Sequence, residues 1–286
     1  MKNCNLLFQF TLTLIFFDLL STLRVPQGKH VTVEKDDLRS KGLFGSLQSI
    51  LEYLQLPQYR SLPAIKEMIK KYRKSLHIGK QLTDFLPGPR RRFIVIEGLY
   101  TSKRHAVAKL VARSLRGKHI LNPFRKLAGV NTLPATYDTR RAYYSLTKYG
   151  IANLVPKLLA LQPVVMERYW LDQAAFVIAK TFGENLPKLD SGLYDWPSDL
   201  IKPDITFFIN ADNKSTEHSN LPNEISNFTL NILRVYDEYK KVMKIIEISS
   251  NQKLWDIVKE VLAQVRLLGP DVVTEMKRAE PIRLMD

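Results

Sequence analysis

The sequence predicts a three-layer α/β domain built on a parallel sheet, preceded by a basic helical extension. After residue 92 short apolar runs alternate with stretches of helical period, the pattern of a parallel sheet covered on both faces. The unusual polar clusters, Glu97–His105, Glu167–Tyr169 and Asn210–Asp212, each follow such a run. In sheets of this kind ligands bind at the carboxyl ends of the strands. The string Pro87-Gly88-Pro89-Arg90-Arg91-Arg92 breaks helix and marks the boundary between the two parts.

The chain opens on an apolar run, residues 6–20, that follows a single Lys2 and contains Asp18. It is short for a membrane span and suited to a signal core, and it lacks the several arginines of a mitochondrial presequence. Residues 1–24 are therefore read as a targeting segment of undecided destination, with secretory pathway or membrane anchor as an alternative and a partly buried N-terminal helix as the plain structural reading. Residues 25–90 form the extension. Leu47, Ile50, Leu51, Leu54, Ile65, Met68, Ile69 and Tyr72 recur at helical spacing, and Pro57 and Pro63 divide them into at least two helices. Lys66, Lys70, Lys71, Arg73 and Lys74 load one of these with positive charge, either as a solvated face or as a surface for phosphates or lipid. In the domain at 91–270 the expected strands are 93–96, 119–121, 164–166, 205–209 and 245–248. The expected helices are 102–115, 139–160, 172–182, 224–243 and 251–267. Residues 271–286 form a tail.

Of the 286 residues 43 are Lys or Arg and 28 Asp or Glu, a net charge of +15 that points to anionic partners or to a solvated basic surface. The one cysteine, Cys4, excludes an intramolecular disulfide framework and a cysteine-based zinc site.

The stretch FIVIEGLYTSKRHAV, residues 93–107, begins as a phosphate-binding loop does, with a strand, then Gly98, then a helix. Such a loop next needs glycine for backbone freedom, lysine for the terminal phosphates and a hydroxyl for Mg²⁺. Here those positions hold Lys103, Arg104 and His105, with Ser102 just before them. A left-handed backbone at Lys103 costs about 1–2 kcal/mol that glycine avoids. Arg104 keeps a charge but presents a fork rather than a point. The imidazole of His105 is a poor ligand for Mg²⁺, which takes oxygen donors.

IEGL at 96–99, RRAYYSLTKY at 140–149, VVMERYW at 164–170 and above all YDWPSDLIKPDITFFIN at 194–210 resemble the thymidylate kinase family, in particular its mitochondrial UMP-CMP kinase branch. The likeness runs from about Phe93 to Leu268. It implies a P-loop nucleoside-triphosphatase-like fold with a five-stranded parallel sheet and a lid, and ATP- and Mg²⁺-dependent phosphorylation of a nucleoside monophosphate. It implies pyrimidine monophosphate and ATP as partners, no specific nucleic acid, and a mitochondrial location; a homodimer stays open. By position Arg168 would bind the acceptor phosphate, supported by Arg140 or Arg141. Tyr144 would pack on the base, Lys148 would face it, and Tyr169 would belong to the same nucleotide site. Glu167 would take the place of an aspartate that organises Mg²⁺; its extra methylene displaces a metal by about 1 Å, which can cost about 10²-fold in rate. The lid, residues 211–230, contains no arginine, and Arg234 is the first downstream. An arginine on the transferring phosphoryl group is worth about 10³–10⁵ in rate.

The changes at 103–105 and in the lid together favour a kinase-like protein of nucleotide metabolism with reduced or lost catalysis. One alternative is an active pyrimidine nucleoside monophosphate kinase in which Lys103, Arg104 and Glu167 replace the usual groups. Another is a basic module for nucleic acid or membrane, led by residues 60–92. The plain structural reading puts Tyr143, Tyr144, Tyr149, Trp170 and Trp196 in the core and leaves Arg140, Arg141 and His105 on a solvated surface.

Overall fold

The computed structural model describes residues 38–39, 41–80, 90–99, 101–121, 137–210 and 227–269. The targeting segment, the Pro-Gly-Pro string, residues 211–226 of the expected lid and the tail lie outside the described residues. Among the described residues no helix is long and apolar enough to cross a membrane.

The first helices described in full are α1 (Leu47–Leu54), α2 (Pro57–Arg60) and α3 (Pro63–Lys80). Each proline opens a helix, where its missing N–H costs nothing. Ser46 caps α1 through a reciprocal pair with Ser49. Of the periodic apolar residues all but Leu51 are buried, each worth about 1.5–3 kcal/mol of transfer free energy. Lys66, Lys70, Arg73 and Lys74 are exposed, the solvated-face arrangement.

The domain follows as β1 (Phe93–Gly98), α4 (Thr101–Ser114), β2 (Lys118–Ile120), α5 (Tyr137–Ala152), α6 (Val155–Leu161), β3 (Val164–Glu167), α7 (Trp170–Phe182), a 3₁₀ turn (Leu189–Ser191), β4 (Ile205–Asn210), α8 (Asn227–Val242), β5 (Ile245–Ser249) and α9 (Leu254–Arg266). The five strands are all parallel, in the order β2-β3-β1-β4-β5. This is the three-layer α/β domain on a five-stranded parallel sheet that the strand–helix alternation predicts. The single helix expected over 139–160 is two helices. Pro156 in the first turn of α6 has no N–H for the carbonyl of Ala152, and the chain turns at Asn153-Leu154.

Paired residues of parallel strands share a face. Ile94, Ile96, Val165, Ile205, Phe207 and Ile209 form one face, packed by Val107, Ala108 and Val111 of α4 and Ile257, Val258 and Val261 of α9. The other face carries Phe93, Val95, Glu97 and Phe208; Phe93 meets Tyr169 edge-on at 5.3 Å and Phe208 meets Tyr236 of α8 at 4.1 Å. Arg90 grips Asp204 with two bonds of 2.7 and 2.8 Å, and the same carboxylate accepts from the Phe93 N–H at 2.7 Å, fixing the entry of β1 beside β4.

The N-terminal helices pack on α5 within one compact unit with the sheet. Asp199 links them: its carboxylate accepts from the Leu47 N–H at the start of α1 and from the Tyr149 hydroxyl of α5, both at 2.7 Å. Gly42, at φ +90°, lies so close to α5 that a Cβ there would sit 2.4 Å from that of Arg141.

Candidate functional site

The sheet register decides which polar residues meet. Ile96 pairs with Glu167 and Val165 with His119, so Glu167 and His119 emerge on the α4 face at the carboxyl end of the sheet. Glu97 pairs with Phe208 and emerges on the opposite face. Gly98 ends β1 at φ +145°, where a Cβ would lie 2.5 Å from the Ile209 carbonyl oxygen. Glycine is required there by the close approach of β4 alone.

On the α4 face Lys103 and Arg104 of the expected phosphate loop point inward. Lys103 donates to the Ser250 carbonyl, with the Gln252 carbonyl at 3.4 Å, and so ties α4 to the turn after β5. Arg104 is 3% exposed. It donates to the Gly98 carbonyl, and its Nε lies 3.8 Å from Glu167 Oε2. Burial, with the neighbouring Arg168 charge, lowers the Arg104 pKa from its ordinary value. Ser102 is exposed. His105, in the first turns of α4, meets Glu167 Oε1 through Nδ1 at 2.9 Å, and His119 meets the same oxygen through Nε2 at 2.6 Å. Burial pushes the Glu167 carboxyl up, but the two histidine hydrogen bonds outweigh it and hold the pKa below the usual range.

On the other face Arg168 occupies a left-handed backbone, φ +54°, directly after β3. Its Nε donates to Asp172 Oδ1 at 2.8 Å with the side chain 46% exposed, and the Asp172 charge raises its pKa against the effect of burial. Glu97 is fully buried; its Oε1 accepts from the Tyr169 N–H at 2.9 Å, and its Oε2 has no hydrogen-bond partner. Burial first, and the Asp172 charge second, push its pKa up to about 7. Lys148 is buried nearby, and desolvation brings its pKa down to about 8 against the pull of Asp172 and Glu97. Arg141 lies within electrostatic reach of Lys148 and rests 3.6 Å above the Phe176 ring.

The structure thus gathers Gly98, Arg104, Arg141, Lys148, Glu167 and Arg168 around the ends of β1 and β3. Arg140 is exposed, and Tyr144 is half-buried beside Tyr143. Tyr169 is buried, with its hydroxyl on the Ile201 carbonyl at 3.1 Å. Trp196 stacks at a tilt on Tyr169 and donates to the Leu200 carbonyl, a packing role. Arg234 lies on α8 beside Asn231 and Glu184. The sequence reading missed His119, Glu97 and Asp172. Parallel register would have found His119, two positions before Glu167 on the same face; Asp172 lies one helical turn beyond Arg168. A cavity of about 280 Å³ lined by Tyr194, Asp195, Lys202 and Lys244 sits at the amino end of β4, the opposite end of the sheet from these groups.

No family model matches the chain. Over 121 residues it is 32% identical to the human mitochondrial UMP-CMP kinase 2; this stretch is 41% of the chain and 27% of that protein, so the match spans about a quarter of the relative's length. Among solved structures it is similar to thymidylate kinase from Candida albicans, with a TM-score of 0.47 and 17% identity over 64% of this chain and 94% of that one. A deoxyadenosine kinase from M. mycoides with bound dATP gives a TM-score of 0.36 and 11% identity over 61% and 99% of the two chains. Shikimate kinase from Aquifex aeolicus gives 0.38 and 20% over 62% and 99%.

Proposed function

We propose that the protein is a nucleoside monophosphate kinase-like protein of nucleotide metabolism that keeps an acceptor-side nucleotide site and has reduced or lost phosphoryl transfer. One observation carries the reading. Both cations of the phosphate loop, Lys103 and Arg104, are engaged by backbone carbonyls of the protein itself. A loop that cradles phosphates directs its lysine at them.

The donor set supports the same reading. At the position of the Mg²⁺ hydroxyl stands an imidazole hydrogen-bonded to Glu167, and Glu167 already faces His119 and Arg104. These residues suit a hard octahedral cation poorly. No step through Mg²⁺ is assigned to them. On the acceptor side Arg168, half-exposed at a strained backbone position, is the group for a monophosphate, with Arg141 and Lys148 close by. The ligand class, a pyrimidine nucleotide, and a mitochondrial location follow the resemblance and the name of the human relative.

Calorimetric titration of the full chain with UMP, CMP, dUMP, dTMP and ATP, with and without Mg²⁺, tests the reading. The expected result is a monophosphate site that Arg168→Ala removes, and ATP binding that Mg²⁺ does not strengthen. Tight Mg²⁺-dependent ATP binding favours the active-kinase alternative. Binding of no nucleotide, with steeply salt-dependent binding of polyanions, favours the basic module.

A further inference from the structure

We infer that His105, His119 and Glu167 form a binding site for a transition-metal ion of the zinc class, set where a phosphate loop would hold Mg²⁺. The proposal does not depend on nucleotide binding. The three residues come from three elements, the start of α4, β2 and the end of β3, and their donor atoms all lie within 4.8 Å of one another. His105 Nδ1 and His119 Nε2 point at one atom, Glu167 Oε1, from 2.9 and 2.6 Å.

Two imidazoles and a carboxylate with a position left open make the ligand set of many catalytic zinc sites. Imidazole nitrogen favours zinc, copper, iron and nickel over magnesium and calcium. Ligands about 2.0–2.2 Å from a tetrahedral ion stand about 3.3 Å apart. Reaching that spacing asks the histidine nitrogens to withdraw from Oε1 by less than about 1 Å and to close on each other from at most 4.8 Å, within the reach of side-chain rotations. The support is also in place. Arg104 Nε stands 3.8 Å from the other oxygen, Oε2, an ion-pair distance without a hydrogen bond, and Glu167 is 4% exposed, so a buried positive charge lies behind the carboxylate while Oε1 faces the histidines. His105 is 44% and His119 19% exposed at the side chain, which leaves a solvent path for the ion and for a water or anionic oxygen at the open position.

The test is titration of the full chain, freed of metal by chelator, with Zn²⁺ and with Co²⁺ as spectroscopic probe. One ion per chain is expected, with the intense ligand-field absorption of a four- or five-coordinate cobalt site and no displacement by a large excess of Mg²⁺. His119→Ala and His105→Ala should each weaken binding by about 100-fold or more, taking the loss of a supporting partner as the lower bound, and the double variant should abolish it with an unchanged circular dichroism spectrum. If the variants fail to fold, the cobalt spectrum of the unaltered protein decides. Weak bands of an octahedral oxygen-ligated ion, displacement by Mg²⁺, or undiminished Zn²⁺ binding in the folded double variant would overturn the proposal and leave the cluster a hydrogen-bond network.

Discussion

Two glutamates end neighbouring strands and meet opposite fates. Glu167, on the α4 face, is surrounded by partners: two histidines on one oxygen and Arg104 near the other. Its proton is held less tightly than usual. Glu97, on the α7 and α8 face, has one backbone N–H and one unpartnered oxygen, and its pKa rises to about 7. The α4 face pairs most of its charges internally, Lys103 included, although Arg104 Nε is buried without a hydrogen bond. The opposite face keeps perturbed groups and a strained Arg168 side by side, the condition in which binding and catalytic residues are commonly found. On the proposed function, the α4 face is where phosphoryl transfer would be reduced and the opposite face is where the acceptor site would remain.

The largest effect should come from breaking the satisfied side. Glu167→Gln leaves the Arg104 charge buried without its carboxylate and should cost about 3–5 kcal/mol in urea unfolding. A cost below about 1 kcal/mol would mean that Arg104 is solvated and the face is not closed.

The same substitution at Glu97 should act with the opposite sign. The folded pKa, about 7, lies above the ordinary 4.5. The folded chain therefore binds this proton more tightly, and its contribution to stability is full below about pH 4.5 and is lost as pH rises through 7. Glu97→Gln should flatten that decline and stabilise the protein at pH 8 by up to about 3 kcal/mol. Thermal melts from pH 5 to 8 measure it, and parallel slopes in the two proteins would contradict the assignment.

Repairing the loop sharpens the contrast further. Lys103→Gly, Arg104→Lys and His105→Thr together release the Ser250 and Gly98 carbonyls and restore backbone freedom, a point charge and a hydroxyl. Mg²⁺-ATP at 100 times its Kd should then stabilise the folded protein by about 2.7 kcal/mol, read as a thermal shift. No shift in a folded variant would mean that the fold no longer holds a donor site even in outline.

The smallest change is at Arg168. Arg168→Gly removes about 1 kcal/mol of left-handed strain and loses an Asp172 pair worth about 0.3–0.5 kcal/mol at this exposure. Stability should stay level or rise slightly while monophosphate binding disappears. Intact monophosphate binding in this variant would contradict the assignment of Arg168 to the phosphate.

Much of this frame is legible in the sequence. β-branched runs such as Phe93–Ile96 and Ile205–Ile209 place all five strands to within two residues, because burial on both faces demands continuous apolar stretches. Pro156 signals the split of the 139–160 helix, but the apolar period runs straight through it and masks the break. The site was legible in its residue types more than in their directions. Lys103, Arg104 and His105 mark an altered loop, but the bond from Lys103 to Ser250 spans 147 positions in sequence, and no local pattern encodes such a partner. His119 sits in a three-residue strand, and its meeting with Glu167 depends on strand register, which emerges only when β2 is placed beside β3.

The most direct test is steady-state phosphoryl transfer from Mg²⁺-ATP to UMP, CMP, dUMP and dTMP by the purified full chain. With the loop cations turned to carbonyls and an imidazole at the Mg²⁺ position, the expected turnover lies far below the ordinary kinase range of about 1–100 s⁻¹. Turnover within that range on any of the four acceptors, lost on mutation of Arg104, would contradict the account and show that the inward-facing loop opens to work.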